Sequence, residues 1–103
     1  MNILKNIFLF NKKVEIKEGL NQKVFDQYKE IAYLVKEARI KRNLTIKDLS
    51  RISKIPEITI NSIENNNLKY IPKYPYIRSI LIKLEECLYF KKNTLVKFAI
   101  KEV

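Results

Sequence analysis

The stretch that decides the fold is Thr45–Glu64, TIKDLSRISKIPEITINSIE. Thr45 is a helix N-cap residue, and Asp48 three positions later completes a capping box with Asp in place of the usual Glu. Ile46, Leu49 and Ile52 then come at helical spacing and predict one apolar face turned inward. Ser53-Lys54-Ile55 reads as a turn. Pro56 suits the first position of the next helix, where its missing N–H would have no partner anyway. Ile60 and Ile63 point inward from that helix, and Glu64 ends it ahead of Asn65, Asn66 and Asn67. Two short helices joined by a tight turn are spaced as a helix-turn-helix.

Working outward, Tyr28, Ile31, Ala32, Leu34, Val35 and Ala38 predict a preceding helix over 25–42. Asn43 stands where that helix should end in the left-handed conformation. Downstream, Pro72 and Pro75 bracket an extended loop, LKYIPKYP. Ile77, Ile80, Leu81, Leu84 and Leu88 predict a helix over 75–89. Asn93 is the expected cap of a short fifth helix over 94–101, carrying Leu95, Val96, Phe98, Ala99 and Ile100. The sixteen isoleucines fall at helical spacing, so burial outweighs their small propensity cost. The expected fold is therefore all-α: a five-helix helix-turn-helix domain over 25–103, of the kind that the repressor resemblance described below implies. A short N-terminal extension occupies 1–24.

That extension opens MNILKNIFLFNKK and continues through a linker-like stretch, 14–24, around Gly19. Its apolar run is too short to span a bilayer, and no secretory cleavage pattern comes after it. Two roles stay open. The segment docks on the domain's own core or on a second copy, making a homodimer, or residues 1–13 lie peripherally on an anionic membrane.

Composition excludes much else. The 103 residues hold no histidine, one cysteine (Cys87), one glycine (Gly19) and two aspartates (Asp26 and Asp48). A Cys/His zinc site, a histidine-activated nucleophile and a glycine-rich phosphate loop are all out of reach. Cys87 reads as a small buried hydrophobe, and Glu85-Glu86 diverge on a helix and make no catalytic pair. No cofactor and no enzymatic activity are expected. The formal charge of +10 suits an acidic partner such as nucleic acid. A genome rich in A·T pairs would raise the same residues, since Lys, Ile and Asn number 17, 16 and 10.

The Thr45–Glu64 stretch resembles the phage-repressor class of helix-turn-helix, down to Ile63-Glu64-Asn65 where that class often has Ile-Glu-x-Gly. The residues after it are more specific. Ile71-Pro72, then Tyr76-Ile77-Arg78, resembles the Leu-Pro loop and aromatic-x-Arg helix opening of the cytoplasmic domain of RodZ-type bacterial cell-shape proteins. The resemblance covers residues 28–102, with Ser79 in place of the family's glycine and Ile80 in place of its second aromatic. It implies a cytoplasmic module able to bind a bacterial actin homologue, MreB, through aromatic residues on and near the 75–89 helix. Of these, Tyr76 keeps the aromatic character and Ile80 does not. The family also carries an anchoring helix. No equivalent run lies in this chain, which puts an anchored scaffold in doubt and leaves the N-terminal apolar tail as the one candidate substitute anchor.

Two functions fit these residues. Double-stranded DNA is the leading partner. Glu57, Ile58, Thr59, Asn61 and Ser62 are the expected outward positions of the second motif helix, with Glu57, Thr59, Asn61 and Ser62 as the candidate contacts. Lys47, Arg51 and Lys54 are the candidate phosphate contacts, with Arg39, Lys41 and Arg42 close by in sequence. The alternative is a cytoskeletal adaptor that binds the actin homologue through Tyr74, Tyr76 and Arg78, in a cluster that also holds Tyr70, Lys69 and Lys73. Against that hot spot stands a packing role, in which Tyr70 and Tyr76 cover the core and only Tyr74 is free.

Overall fold

The computed structural model describes the backbone of residues 12–99 and the side chains of residues 26–99. Residues 1–11, which carry the apolar tail, and Ile100 of the expected fifth helix lie outside the described residues. Among the described residues the fold is all-α. Helix α1 spans Lys12–Lys41, α2 Ile46–Ser53, α3 Glu57–Glu64 and α4 Tyr76–Cys87, succeeded by a 3-10 turn at Val96–Phe98. Two expectations change. The stretch 14–24, expected as a linker, is part of α1. The expected fifth helix is a single 3-10 turn, which leaves at Ala99 in an extended conformation (φ −69°, ψ 122°).

Local chemistry accounts for most boundaries. At the end of α1, Asn43 takes φ 56°, its N–H donates to Ile40 O (2.9 Å), and the Leu44 N–H donates to Arg39 O (3.1 Å). This pair of bonds is the Schellman closure, which asparagine tolerates nearly as well as glycine. The same closure recurs at Asn66 after α3 and at Tyr89 after α4. The capping box of α2 is complete: the Asp48 N–H donates to Thr45 Oγ1 and the Thr45 N–H to Asp48 Oδ2, both at 2.9 Å. Those bonds hold the Asp48 carboxyl below its ordinary range. Pro56 stands one place earlier than expected. Its ψ of 143° is extended, so it is the N-cap of α3 and Glu57 is the first helical residue.

One core runs through the domain. Val35, Leu49, Ile60, Ile63, Ile77, Leu81, Leu84 and Leu95 are almost wholly buried, drawn from all four helices and the loop before the 3-10 turn. α1 packs on α3, and α2 packs on both α3 and α4. The expectation for Ile52 fails, since it is 48% exposed. Each helical residue advances by ~100°. With Leu49 and Ser53 buried and Ile46 packed on the core, Ile52 falls to the side of that face. The buried Ser53 is satisfied, its Oγ accepting from the Ile55 N–H at 3.1 Å.

Candidate nucleic-acid interface

The motif turn depends on Lys54, which closes α2 in the left-handed conformation (φ 66°) and donates its N–H to Ser50 O at 2.8 Å. Ser50 Oγ donates to Ile55 O across the same turn. These bonds fix the exit of α2 and the entry of α3 within three residues. Lys47, Arg51 and Lys54 are all exposed around this unit. Arg51 also reaches Asp48 Oδ1 at 3.3 Å, an exposed pair of little energetic weight that leaves the cation accessible.

On α3, Glu57, Ile58 and Asn61 are exposed, and Thr59 is half-buried. Ser62, expected to face outward, is buried instead, its Oγ donating to Ile58 O at 2.7 Å. At 4% exposure it is closed off from a ligand. Asn61 is tied to Asn65, whose Nδ2 donates to both Asn61 O and Asn61 Oδ1 at 2.9 Å.

The basic residues at the end of α1 divide. Arg39 is consumed internally: its guanidinium donates to both Glu64 carboxylate oxygens at 2.7 and 2.8 Å and to Leu44 O at 2.8 Å. Its side chain is 12% exposed and that of Glu64 only 2%. The bond to Glu64 raises the Arg39 pKa further, so the pair is permanently ionised on the Arg side. Lys41 is exposed. Arg42 lies 4.2 Å over the Tyr89 ring and donates to Cys87 O, bridging the ends of α1 and α4.

The aromatic loop is arranged otherwise than its packing role predicted. Tyr70 and Tyr76 are exposed, Tyr76 at 73%, whereas Tyr74 is half-buried against the core. Arg78 is exposed and lines an open groove of about 680 Å³ floored by Ile82, Phe90 and Val96, with Lys92 also on it. Cys87 is half-buried, and desolvation pushes its thiol pKa up, away from nucleophilic use. Among the described residues, no group of three or more acidic, cysteine or histidine side chains could hold a metal ion. None of the described helices is long and apolar enough to cross a membrane.

Sequence reasoning did not find the part played by Glu85. This carboxylate, on a residue 4% exposed, accepts the N–H groups of Asn93 (3.0 Å), Leu95 (2.6 Å) and Val96 (2.8 Å). Asn93, expected to cap a helix, instead adopts φ 71° and is itself held by Glu85. A carboxylate eight to eleven residues upstream leaves no local pattern to read.

A helix-turn-helix domain family model matches residues 34–94, more than half of the chain, from within α1 to the end of the turn after α4. The chain belongs to this helix-turn-helix domain family. No curated protein matches it, and no solved structure does. The family match covers the whole α2–turn–α3 unit with its three exposed cations, and also the aromatic loop and α4.

Proposed function

We propose that this helix-turn-helix domain is a binding module for duplex DNA that places α3 in the major groove. The observation that carries the reading is the exposed set Lys47, Arg51 and Lys54 beside the exposed α3 residues Glu57, Ile58 and Asn61. An α-helix with its side chains is ~10–12 Å across and the major groove is ~12 Å wide, so α3 can lie in it. The three cations would meet phosphates on either side and set the position of α3 without reading sequence. Glu57 repels phosphate but accepts hydrogen bonds from base amino groups, so its place is over the groove rather than at its wall. The partly buried Thr59 has a smaller role, and Ser62 serves the fold.

The test is duplex affinity by fluorescence anisotropy across a salt series. Affinity should fall steeply with salt. Arg51→Ala with Lys54→Ala should flatten the log–log slope by roughly 2, since each neutralised phosphate contributes ~0.9. Absence of duplex binding at low ionic strength defeats the reading.

A second reading is favoured by one observation: Tyr70, Tyr76 and Arg78 are all exposed. Aromatic and arginine side chains in this state suit the kind of partner that RodZ-type domains bind, a bacterial actin homologue. Tyr76→Ala with Arg78→Ala should then abolish partner capture while leaving duplex affinity unchanged.

A further inference from the structure

We infer that Ile58 and Asn61 together read a thymine, Ile58 packing on its 5-methyl group and Asn61 donating a hydrogen bond to its O4. The inference rests on the DNA reading above and extends it to base preference.

A single exposed isoleucine is ordinary on a protein surface. Ile58 differs in its setting. It is 65% exposed on the helix the motif offers to the groove, with the exposed cations of α2 and the turn to meet the flanking phosphates. Asn61 comes three residues later, so the two side chains share one side of α3. The Asn61 amide is also oriented. Its Oδ1 accepts from Asn65 Nδ2 at 2.9 Å and keeps one further lone pair, whereas its Nδ2 donates to no group among the described residues and is the freer end for a ligand. The pair therefore presents an apolar group beside a hydrogen-bond donor.

The thymine edge in the major groove is the complement of that pair, an O4 acceptor beside a methyl group. The other bases match less well. Guanine is most often read by arginine or lysine, and α3, EITINSIE, contains neither. Cytosine presents an amino donor and no methyl group, so it meets the Asn61 donor unfavourably. Adenine offers N7 as an acceptor but no methyl group for Ile58.

The experiment uses the full chain. Duplexes are enriched from a random pool, and each thymine of an enriched site is replaced in turn by deoxyuridine, which removes only the 5-methyl group. Wild type should lose roughly fourfold in affinity at one position, the effect of exposing one methyl-sized group. Ile58→Ala should bind the thymine and deoxyuridine duplexes equally with an unchanged salt slope, and Ile58→Val should keep part of the difference. Asn61→Ala should weaken binding at that same base pair and not elsewhere. Circular dichroism checks that the variants are folded, which the exposure of Ile58 favours. No deoxyuridine effect at any position, or one that survives in Ile58→Ala, overturns the inference while leaving salt-dependent DNA binding intact. Loss of all duplex binding at low salt removes the DNA reading and this inference together. Self-association in sedimentation that Ile58→Ala abolishes would assign the face to a second copy, and also overturns it.

Discussion

The α2–turn–α3 unit and the α4–3-10 unit are of similar size and close in opposite ways. The first is closed by neighbours in sequence: Thr45 with Asp48, Lys54 with Ser50, Ser53 with Ile55. The second is closed across sequence gaps, by Glu85 gathering three N–H groups from 93–96 and by Arg42 of the α1 end lying on Tyr89. Short-range closure leaves the side chains of the first unit free for a ligand, since Lys47, Arg51 and Lys54 have no part in the core. Long-range closure commits the charged side chain of the second unit to its own backbone.

The largest effect should come from breaking the long-range closure. In Glu85→Ala three N–H groups lose a charged acceptor, at least that of Leu95 in a buried setting. Each such loss costs ~1–3 kcal/mol, so we expect about 4 kcal/mol by urea denaturation. Glu85→Gln retains an acceptor and should lose about half as much. A loss below about 1 kcal/mol for Glu85→Ala would show that the 93–96 turn is held by Leu95 and Phe98 packing alone.

Next comes the pair that ties the motif to α1. Glu64→Ala leaves the Arg39 guanidinium, 12% exposed, without its carboxylate. Removing one partner of a buried pair costs ~3–5 kcal/mol, and the residual exposure here places the expected loss near the lower bound, about 3 kcal/mol. Arg39→Met combined with Glu64→Leu should be less destabilising than Glu64→Ala alone, because no charge is left unpaired. If the double variant is the worse of the two, the pair contributes attraction beyond its own desolvation.

These two sites mark the limit of what the sequence reveals. Helices α2, α3 and α4, the capping box at Thr45, the left-handed Asn43 and the burial of Leu49, Ile60 and Ile63 all arise from spacing and local chemistry. They are legible because the cause lies within four residues of the effect. Arg39–Glu64 and Glu85 with the 93–96 turn are not legible, because both need the tertiary arrangement first. Ser62 and Ile52 exchange their expected places for a related reason. Short helices of eight residues have no long stripe to average over, and the neighbouring helix decides which side is covered. Exposure of Lys47, Arg51, Lys54, Glu57 and Asn61 accords with the outward side of the motif. The glycine-poor composition hides the left-handed positions rather than the helix ends: positive φ falls on Asn43, Lys54, Asn66, Tyr89 and Asn93 and on no glycine among the described residues, and of these Asn43 is the one read from the sequence.

The local closure should give smaller effects. Thr45→Ala removes the N-cap acceptor and should cost about 1 kcal/mol. Asp48 makes the same box pH-dependent. Its hydrogen bonds with Thr45, backbone first and then side chain, lower its pKa from the ordinary 3.8. A carboxyl with a lowered folded pKa stabilises fully above the unfolded value and loses that contribution as pH falls through the folded one. Wild type should therefore lose stability below about pH 4 more steeply than Asp48→Asn, in thermal melts at about pH 5 and about pH 2.5. Equal acid limbs in the two proteins would mean that the box contributes nothing to the acid sensitivity of the fold.

The smallest effect should also have the opposite sign. Lys54 holds φ 66°, where a side chain costs ~1–2 kcal/mol that glycine does not incur. Glycine carries its own penalty of ~0.5–1 kcal/mol in unfolded-chain entropy. Lys54→Gly should therefore raise stability by about 0.5–1 kcal/mol, whereas Asn43→Gly should change it little, because asparagine already tolerates the conformation. The same Lys54→Gly change removes one exposed cation beside α3. Duplex affinity should fall and the salt slope flatten by ~0.9, even as the melting temperature rises. Stability and binding moving in opposite directions would show that a lysine is kept at a position whose backbone favours glycine because its charge is used. If Lys54→Gly raises stability and leaves the salt slope unchanged, Lys54 does not touch phosphate, and the cations of the interface reduce to Lys47 and Arg51.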